Sequence, residues 1–157
     1  MNPMPAEAFW RFTLDIYARP GVSALCIALQ DQDGRDVNIL LLALYAGLEL
    51  GRRLAAADLA ALEAAAVGWS GRVTRPLRAV RRDLKAWAAD PAVAALRGAV
   101  QAAEIEAERL AQQHLLAALP PGPVEAPGQA LAAANLRLYA GGAADSLAAA
   151  ALDRCGR

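Results

Sequence analysis

From Asp36 to about Leu54 the chain offers almost no polar face. Val37, Leu40, Leu41, Leu44 and Leu48 fall on one side of a helix, and Ile39, Leu42, Ala43, Ala46 and Leu50 fall on the other. A helix that is apolar all round must have neighbours all round, so residues 36–54 predict a central element wrapped by others. Its longest apolar run, Ile39 to Leu48, is ten residues. A bilayer span needs roughly 20, so burial in protein is expected and no membrane partner is implied. The rest of the chain agrees: it is rich in Ala and Leu, with 57% hydrophobic and only 5% aromatic residues, the balance of packed helices. The expected fold is therefore all-α, one helical domain over residues 1–157 with about seven to eight helices.

The punctuation supports this division. A first helix over about Ala6 to Ala18 carries Phe9, Trp10, Phe12, Ile16 and Tyr17 and stops at Arg19-Pro20-Gly21. A second, from about Val22 to Asp31, sets Val22, Leu25, Cys26 and Leu29 on one stripe, and Asp33-Gly34 turns the chain. Asp36 suits the N-cap of the central helix, accepting from the free N–H groups of Asn38 or Ile39. A fourth helix runs from near Asp58 to Trp69-Ser70-Gly71. Pro76 is expected to open a fifth and to keep Arg75 out of helical geometry. Leu77, Val80, Leu84 and Trp87 then follow at spacings of 3, 4 and 3, a pattern that predicts a buried seam. Asp90-Pro91 opens a long sixth helix to about Leu119. Residues 120–128, rich in Pro and Gly, read as a loop before a short helix to about Tyr139, a Gly141-Gly142 break and a terminal helix.

Sixteen basic and sixteen acidic residues cancel, so no overall field draws the molecule to nucleic acid or an anionic surface. Locally the balance is uneven. Between Gly71 and Lys85 stand six basic residues, Arg72, Arg75, Arg78, Arg81, Arg82 and Lys85, against Asp83 alone. Arginine forks recognise phosphate and carboxylate oxygens, so the cluster reads as an anion contact. It reads equally as one side of an ion-paired hairpin. A turn at Asp90-Pro91 brings Arg78 level with Ala102 to Glu104 and Arg75 level with Ile105 to Glu108, and Glu104 and Glu108 share a face. The hairpin geometry favours pairing. No aromatic residues interleave with the arginines to stack bases, which disfavours RNA.

Polar residues in apolar surroundings are the other candidates. Asn38 lies beside Val37, Leu41 and Leu42, and Asn135 stands between Leu131 and Leu138. A buried amide needs several partners. Each either fixes helix register through backbone or through Gln30 and Asp31, or belongs to a small polar pocket formed by Gln30, Asp31, Asn38 and an arginine. Asp31, Asp33, Asp36, Glu104 and Glu108 are enough carboxylates for a metal, but a calcium loop's regular oxygen spacing and closing glutamate are missing. No metal and no cofactor are expected.

Other chemistry finds little support. His114 is the sole histidine, with no second ligand or triad partner at recognisable spacing, and reads as a surface or partly packed residue. Ser23, Ser70 and Ser146 read as caps, and Gly68-Trp69-Ser70-Gly71 lacks the glycine two before serine of a nucleophile elbow. Cys26 on an apolar stripe reads as an inert core thiol, and with Cys155 forms no disulfide framework. Neither a basic leader nor a long apolar run opens the chain, so a cytoplasmic protein is expected.

The landmarks Phe9-Trp10, Phe12, Tyr17-Ala18-Arg19-Pro20-Gly21-Val22, Cys26, Leu29-Gln30-Asp31 and Gly34-Arg35-Asp36-Val37-Asn38 continue in Trp69-Ser70, Pro76-Leu77-Arg78, Arg81-Arg82, Leu84-Lys85 and Glu108-Arg109. Together, over about residues 9–119, they resemble an uncharacterised proteobacterial family of small helical proteins, a domain of unknown function. The resemblance implies a cytoplasmic bacterial protein and carries no site residues with it.

Three functions follow in order. The first is a non-enzymatic helical interaction module, self-associating or bound to a protein partner through the Ala-rich faces of the fourth and terminal helices. The second is a protein or enzyme that takes a small anionic molecule. There Arg75, Arg78, Arg81 or Arg82 would contact the anion, and Asp31, Asn38 or Glu108 would be polar or acid/base groups. The third is local RNA association through residues 71–85.

Overall fold

In the computed structural model, which describes residues 5–153, the segment after Asp36 is the centre of an all-helical molecule. Its helices are α1 (Pro5–Tyr17), α2 (Val22–Asp33), α3 (Val37–Leu48), α4 (Ala56–Trp69), α5 (Arg75–Leu84), α6 (Pro91–Ala118), α7 (Gln129–Ala140) and α8 (Asp145–Leu152). They join into six continuous helical segments rather than the seven to eight separate helices expected. A π-helical turn, Ser70–Thr74, carries α4 directly into α5, and a 3-10 turn, Lys85–Trp87, extends α5. A second 3-10 turn, Gly141–Ala144, joins α7 to α8. Among the described residues no strand forms, only an isolated antiparallel bridge between Arg52 and Val124.

Every residue of α3 from Ile39 to Gly47 is buried. α7 packs on it more extensively than any other helix does, closely enough that a Cβ on Gly47 would lie 2.4 Å from Ala132 Cα. Phe9 and Phe12 of α1 meet the ring of Tyr45 at 4.9 and 5.1 Å. Val22, Cys26 and Leu29 bury the expected stripe of α2, and burial pushes the Cys26 thiol up to about 11, consistent with an inert core thiol. Cys155 lies outside the described residues.

α3 ends at Leu48, six residues short of the expected Leu54. Gly51 adopts a left-handed φ of +63°, which turns the chain away. The freed backbone is taken up by Asn135 of α7. Its Oδ1 accepts from Leu54 N at 3.0 Å, and its Nδ2 donates to Arg52 O at 2.9 Å and Ala43 O at 3.3 Å. The Pro/Gly-rich segment after Leu119 is irregular, as expected, yet pinned here as well: Glu125 N donates to Gly51 O and Gly128 N to Gly47 O.

Two further expectations fail at α5. Arg75 is helical, with φ −64° and ψ −44°: α4 ends at Trp69 as expected, but the π turn that follows leads straight into α5. In a regular helix the Pro76 ring would clash with the carbonyl of Arg72; the wider π turn contains Arg72 and relieves that clash. The seam of Leu77, Val80, Leu84 and Trp87 is not buried either: α5 has no buried residue, and Val80 and Trp87 are 47% and 62% exposed. α5 and the first half of α6 form a helical hairpin that stands off the core, so a correctly read apolar stripe meets only one neighbour. Among the described residues no single helix is long and apolar enough to cross a membrane.

Candidate functional site

The polar junction after α2 is built by two caps. Gly34, at φ +64°, closes α2 with its N–H on Gln30 O, and Arg35 N reaches Leu29 O. Asp36 then caps α3, its Oδ1 accepting from Asn38 N at 2.8 Å and Ile39 N at 3.3 Å. Tyr139 of α7 supports the junction, its hydroxyl accepting from Asp36 N at 2.9 Å and its ring lying 5.3 Å beneath the Arg35 guanidinium.

Across from the junction lie the C-terminal turn of α4, the π turn, the start of α5 and the middle of α6. Between them is a cavity of about 380 Å³, at the small end of the roughly 300–1,000 Å³ usual for small-molecule sites. Gln30, Asp31, Asp36, Asn38, Arg75, Arg78 and Glu108 all line it, so most of the polar candidates scattered through the sequence come together. Arg81 and Glu104 stand outside the lining, one ion pair away. Arg82 is exposed and does not line it, and Asn135 is committed to the α3 terminus.

Asn38, Glu108 and Arg78 on the lining belong to a continuous chain of side chains that runs behind it. Thr13 Oγ1 donates to Gln112 Oε1 at 3.1 Å, Gln112 Nε2 to Asn38 Oδ1 at 3.0 Å, and Asn38 Nδ2 to Glu108 Oε2 at 2.6 Å. Arg78 Nη2 donates to the other Glu108 oxygen at 2.7 Å, and Arg78 Nε to Glu104 Oε1 at 3.1 Å. Arg81 completes the series by donating to both Glu104 oxygens. Asn38 therefore joins α3 to α6 through Gln112 and Glu108, and does not bond Gln30 or Asp31. The expected cross-hairpin pairing is present for Arg78 and Arg81, while the Arg75 side chain makes no ion pair or hydrogen bond among the described residues.

The two glutamates, one helical turn apart, are driven in opposite directions. Burial works to raise Glu104, but hydrogen bonds from Arg81 and Arg78 outweigh it and hold the carboxyl below the usual range. For Glu108 burial wins over Asn38 and Arg78, helped by the nearby charges of Asp36 and Glu104, and its carboxyl is raised. Asp36 is raised by burial too, against its cap hydrogen bonds and the charges of Arg75 and Arg78.

Several lining residues gave no functional signal in the sequence. Trp69 donates its indole N–H to Ala107 O at 2.9 Å and meets His114 edge-on at 4.9 Å. His114, read as a surface or partly packed residue, is exposed and lies on the cavity wall. Thr74, on the π turn, is 3% exposed, and its hydroxyl has no hydrogen-bond partner. The Arg35 Nε is likewise buried without an acceptor. The spacing of Glu104, Glu108, Ala111 and Leu115 marks an inward stripe on α6 that would have drawn in His114; nothing in the sequence marks the π turn.

A family model for proteins of unknown function, DUF2390, matches residues 8–115. The chain belongs to the DUF2390 family. All the residues lining the cavity fall within the DUF2390 match, whereas Tyr139 and Asn135, which brace the junction and the end of α3, lie beyond it. No curated protein and no solved structure matches the chain.

Proposed function

We propose that this protein binds a small polar molecule in the cavity between the α2–α3 junction and the α4–α5 π turn. The observation that carries this reading is the contrast between its walls. Behind, Thr13, Gln112, Asn38, Glu108 and Arg78 satisfy one another; in front, Thr74, Arg75 and Arg35 present donors with no acceptor. A fixed network beside unfilled hydrogen-bonding capacity is how a pre-organised site holds its ligand. The test is a mixture of small polar molecules added to the 15N-labelled chain, read by amide and indole shifts. The expected shifts map to residues 30–38, the Trp69 indole and residues 70–78. Shifts confined elsewhere, or absent at millimolar concentration, overturn it.

The interaction reading has a specific observation of its own, on a surface other than the Ala-rich faces of α4 and α8. The α5–α6 hairpin exposes Val80, Trp87 and Leu96, and α6 carries exposed Ala92, Ala95, Ala99 and Ala102, which permit close helix approach. This supports a second copy as the occupant, through an isologous contact. Sedimentation equilibrium would then show a dimer that Leu96→Glu converts to monomer; a strict monomer at all concentrations removes the reading.

A further inference from the structure

We propose that the π turn is a carboxylate subsite, and that the cavity's ligand is a small carboxylic acid bound as a monoanion by the Arg75 guanidinium and the Thr74 hydroxyl. This rests on the ligand-binding reading above and specifies the chemistry of the occupant. A helical threonine can satisfy its hydroxyl on the carbonyl four residues back. Here that carbonyl belongs to Ser70 and accepts the Arg75 N–H across the wider π ring. The hydroxyl is left buried and unpartnered on a residue that lines the cavity, and an incoming acceptor would satisfy it. The next residue, Arg75, is the member of the 75–78–81 series that no glutamate holds. A guanidinium fork beside a hydroxyl donor matches the two oxygens of a carboxylate.

Charge separates a carboxylate from a phosphate. The cavity is lined by three guanidinium groups, Arg35, Arg75 and Arg78, and by three carboxyl groups, Asp31, Asp36 and Glu108. Arg78 is already shared between Glu104 and Glu108. A dianion would bring a second negative charge beside Asp36 and Glu108, whose buried carboxyls already resist ionisation. A monoanion engages the uncommitted Arg75 without that excess. The edge-on pair of Trp69 and His114 gives the body of the ligand an aromatic surface to lie against.

The experiment uses three probes of nearly equal shape, benzoate, phenyl phosphate at pH 8 and benzamide, each titrated into the 15N-labelled full chain. Benzoate is expected to shift the Thr74 and Arg75 amides and the Trp69 indole, with phenyl phosphate and benzamide each about tenfold weaker or more, a difference of about 1.4 kcal/mol. Arg75→Ala and Thr74→Val should each weaken benzoate by a similar factor with the amide spectrum otherwise preserved, and Arg82→Ala, off the cavity, should not. Phenyl phosphate binding as tightly as benzoate, or benzoate binding indifferent to Arg75→Ala, overturns the subsite. If neither anion binds while neutral molecules still shift residues 30–38, the carboxylate assignment falls and the ligand reading stands. If nothing enters the cavity, both fall.

Discussion

The α3–α7 contact and the α5–α6 hairpin are both pairs of adjacent helices, yet they are held together in opposite ways. α3 is buried continuously from Ile39 to Gly47 and meets α7 at close backbone approach through Gly47 and Ala132. α5 has no fully buried residue, it and the turn after it leave Val80 and Trp87 to solvent, and it is tied to α6 by Arg78 and Arg81 on Glu104 and Glu108. The first pair is shape and apolar area; the second is charge on one side of an open stripe. α6 runs from the hairpin into the core, exposed near Pro91 and buried at Ala107, Gln112 and Leu115. The cavity lies at the boundary, with α3's capped start on one side and the π turn on the other. A site placed there can be ordered by the core on one wall and adjusted by the hairpin on the other.

The comparison breaks most severely at Gly47. A methyl there would need to occupy space 2.4 Å from both Ala132 Cα and Ala132 N, which are backbone atoms that cannot rotate aside. Gly47→Ala is therefore expected to cost about 3 kcal/mol or more by overpacking, read as a lowered urea midpoint or loss of folded protein. A cost below about 1 kcal/mol would mean that α3 and α7 do not meet as closely as described.

The next effect tests the charged pair, through pH. Glu104 is held below its ordinary value of 4.5, so its stabilisation is present above that pH and is lost as pH falls through the lowered folded value. Glu104→Gln should cost about 2 kcal/mol near pH 7, as expected for lost hydrogen bonds to charged groups, and the gap to the parent should close on acidification. Glu108 is raised above 4.5, so the sign reverses: its folded form holds the proton more tightly than the unfolded chain, and its contribution declines as pH rises through the raised value. The parent's stability relative to Glu108→Gln should therefore fall with rising pH. Parallel profiles for the two variants, measured by urea melts from acid to neutral pH, would sink the opposed environments of these neighbours.

How much of this was legible follows the same division. Local rules read the caps and breaks: Asp36 on Asn38 and Ile39, the Gly34 turn, Asp90-Pro91, and the irregular 120–128 segment. Pairing of Arg78 with Glu104 was legible because hairpin register is arithmetic once the turn is placed. What failed needed three dimensions. The stripe from Leu77 to Trp87 showed an apolar face but not whether anything stood behind it. The end of α3 depended on Gly51's left-handed turn and on Asn135 arriving from a helix more than eighty residues away. The π turn left no pattern, because Pro76 alone reads as a helix start, and so Thr74 passed unnoticed, while Arg75, named as an anion contact, was placed opposite Ile105 to Glu108 rather than left unpaired on that turn.

Thr74→Val sharpens the boundary. The substitution keeps the shape and removes a buried hydroxyl that has no partner, so the protein without ligand should gain about 1 kcal/mol, a rise in thermal midpoint of a few degrees. A loss instead would show that the hydroxyl is satisfied within the fold.

The smallest effect belongs to the hairpin tip. Trp87 is 62% exposed, whereas Phe9, also a large aromatic residue, is fully buried against Tyr45. Phe9→Ala should cost about 3–5 kcal/mol, yet Trp87→Ala should stay within about 0.5 kcal/mol in urea melts of dilute protein. Comparing the same variant at dilute and concentrated protein makes the test decisive. If the tip is covered in a dimer, Trp87→Ala becomes destabilising only as concentration rises, because subunit binding adds to folded-state stability by mass action. If its cost is already large when dilute, Trp87 is packed within its own chain, and the contrast between a filled core and an open hairpin no longer holds.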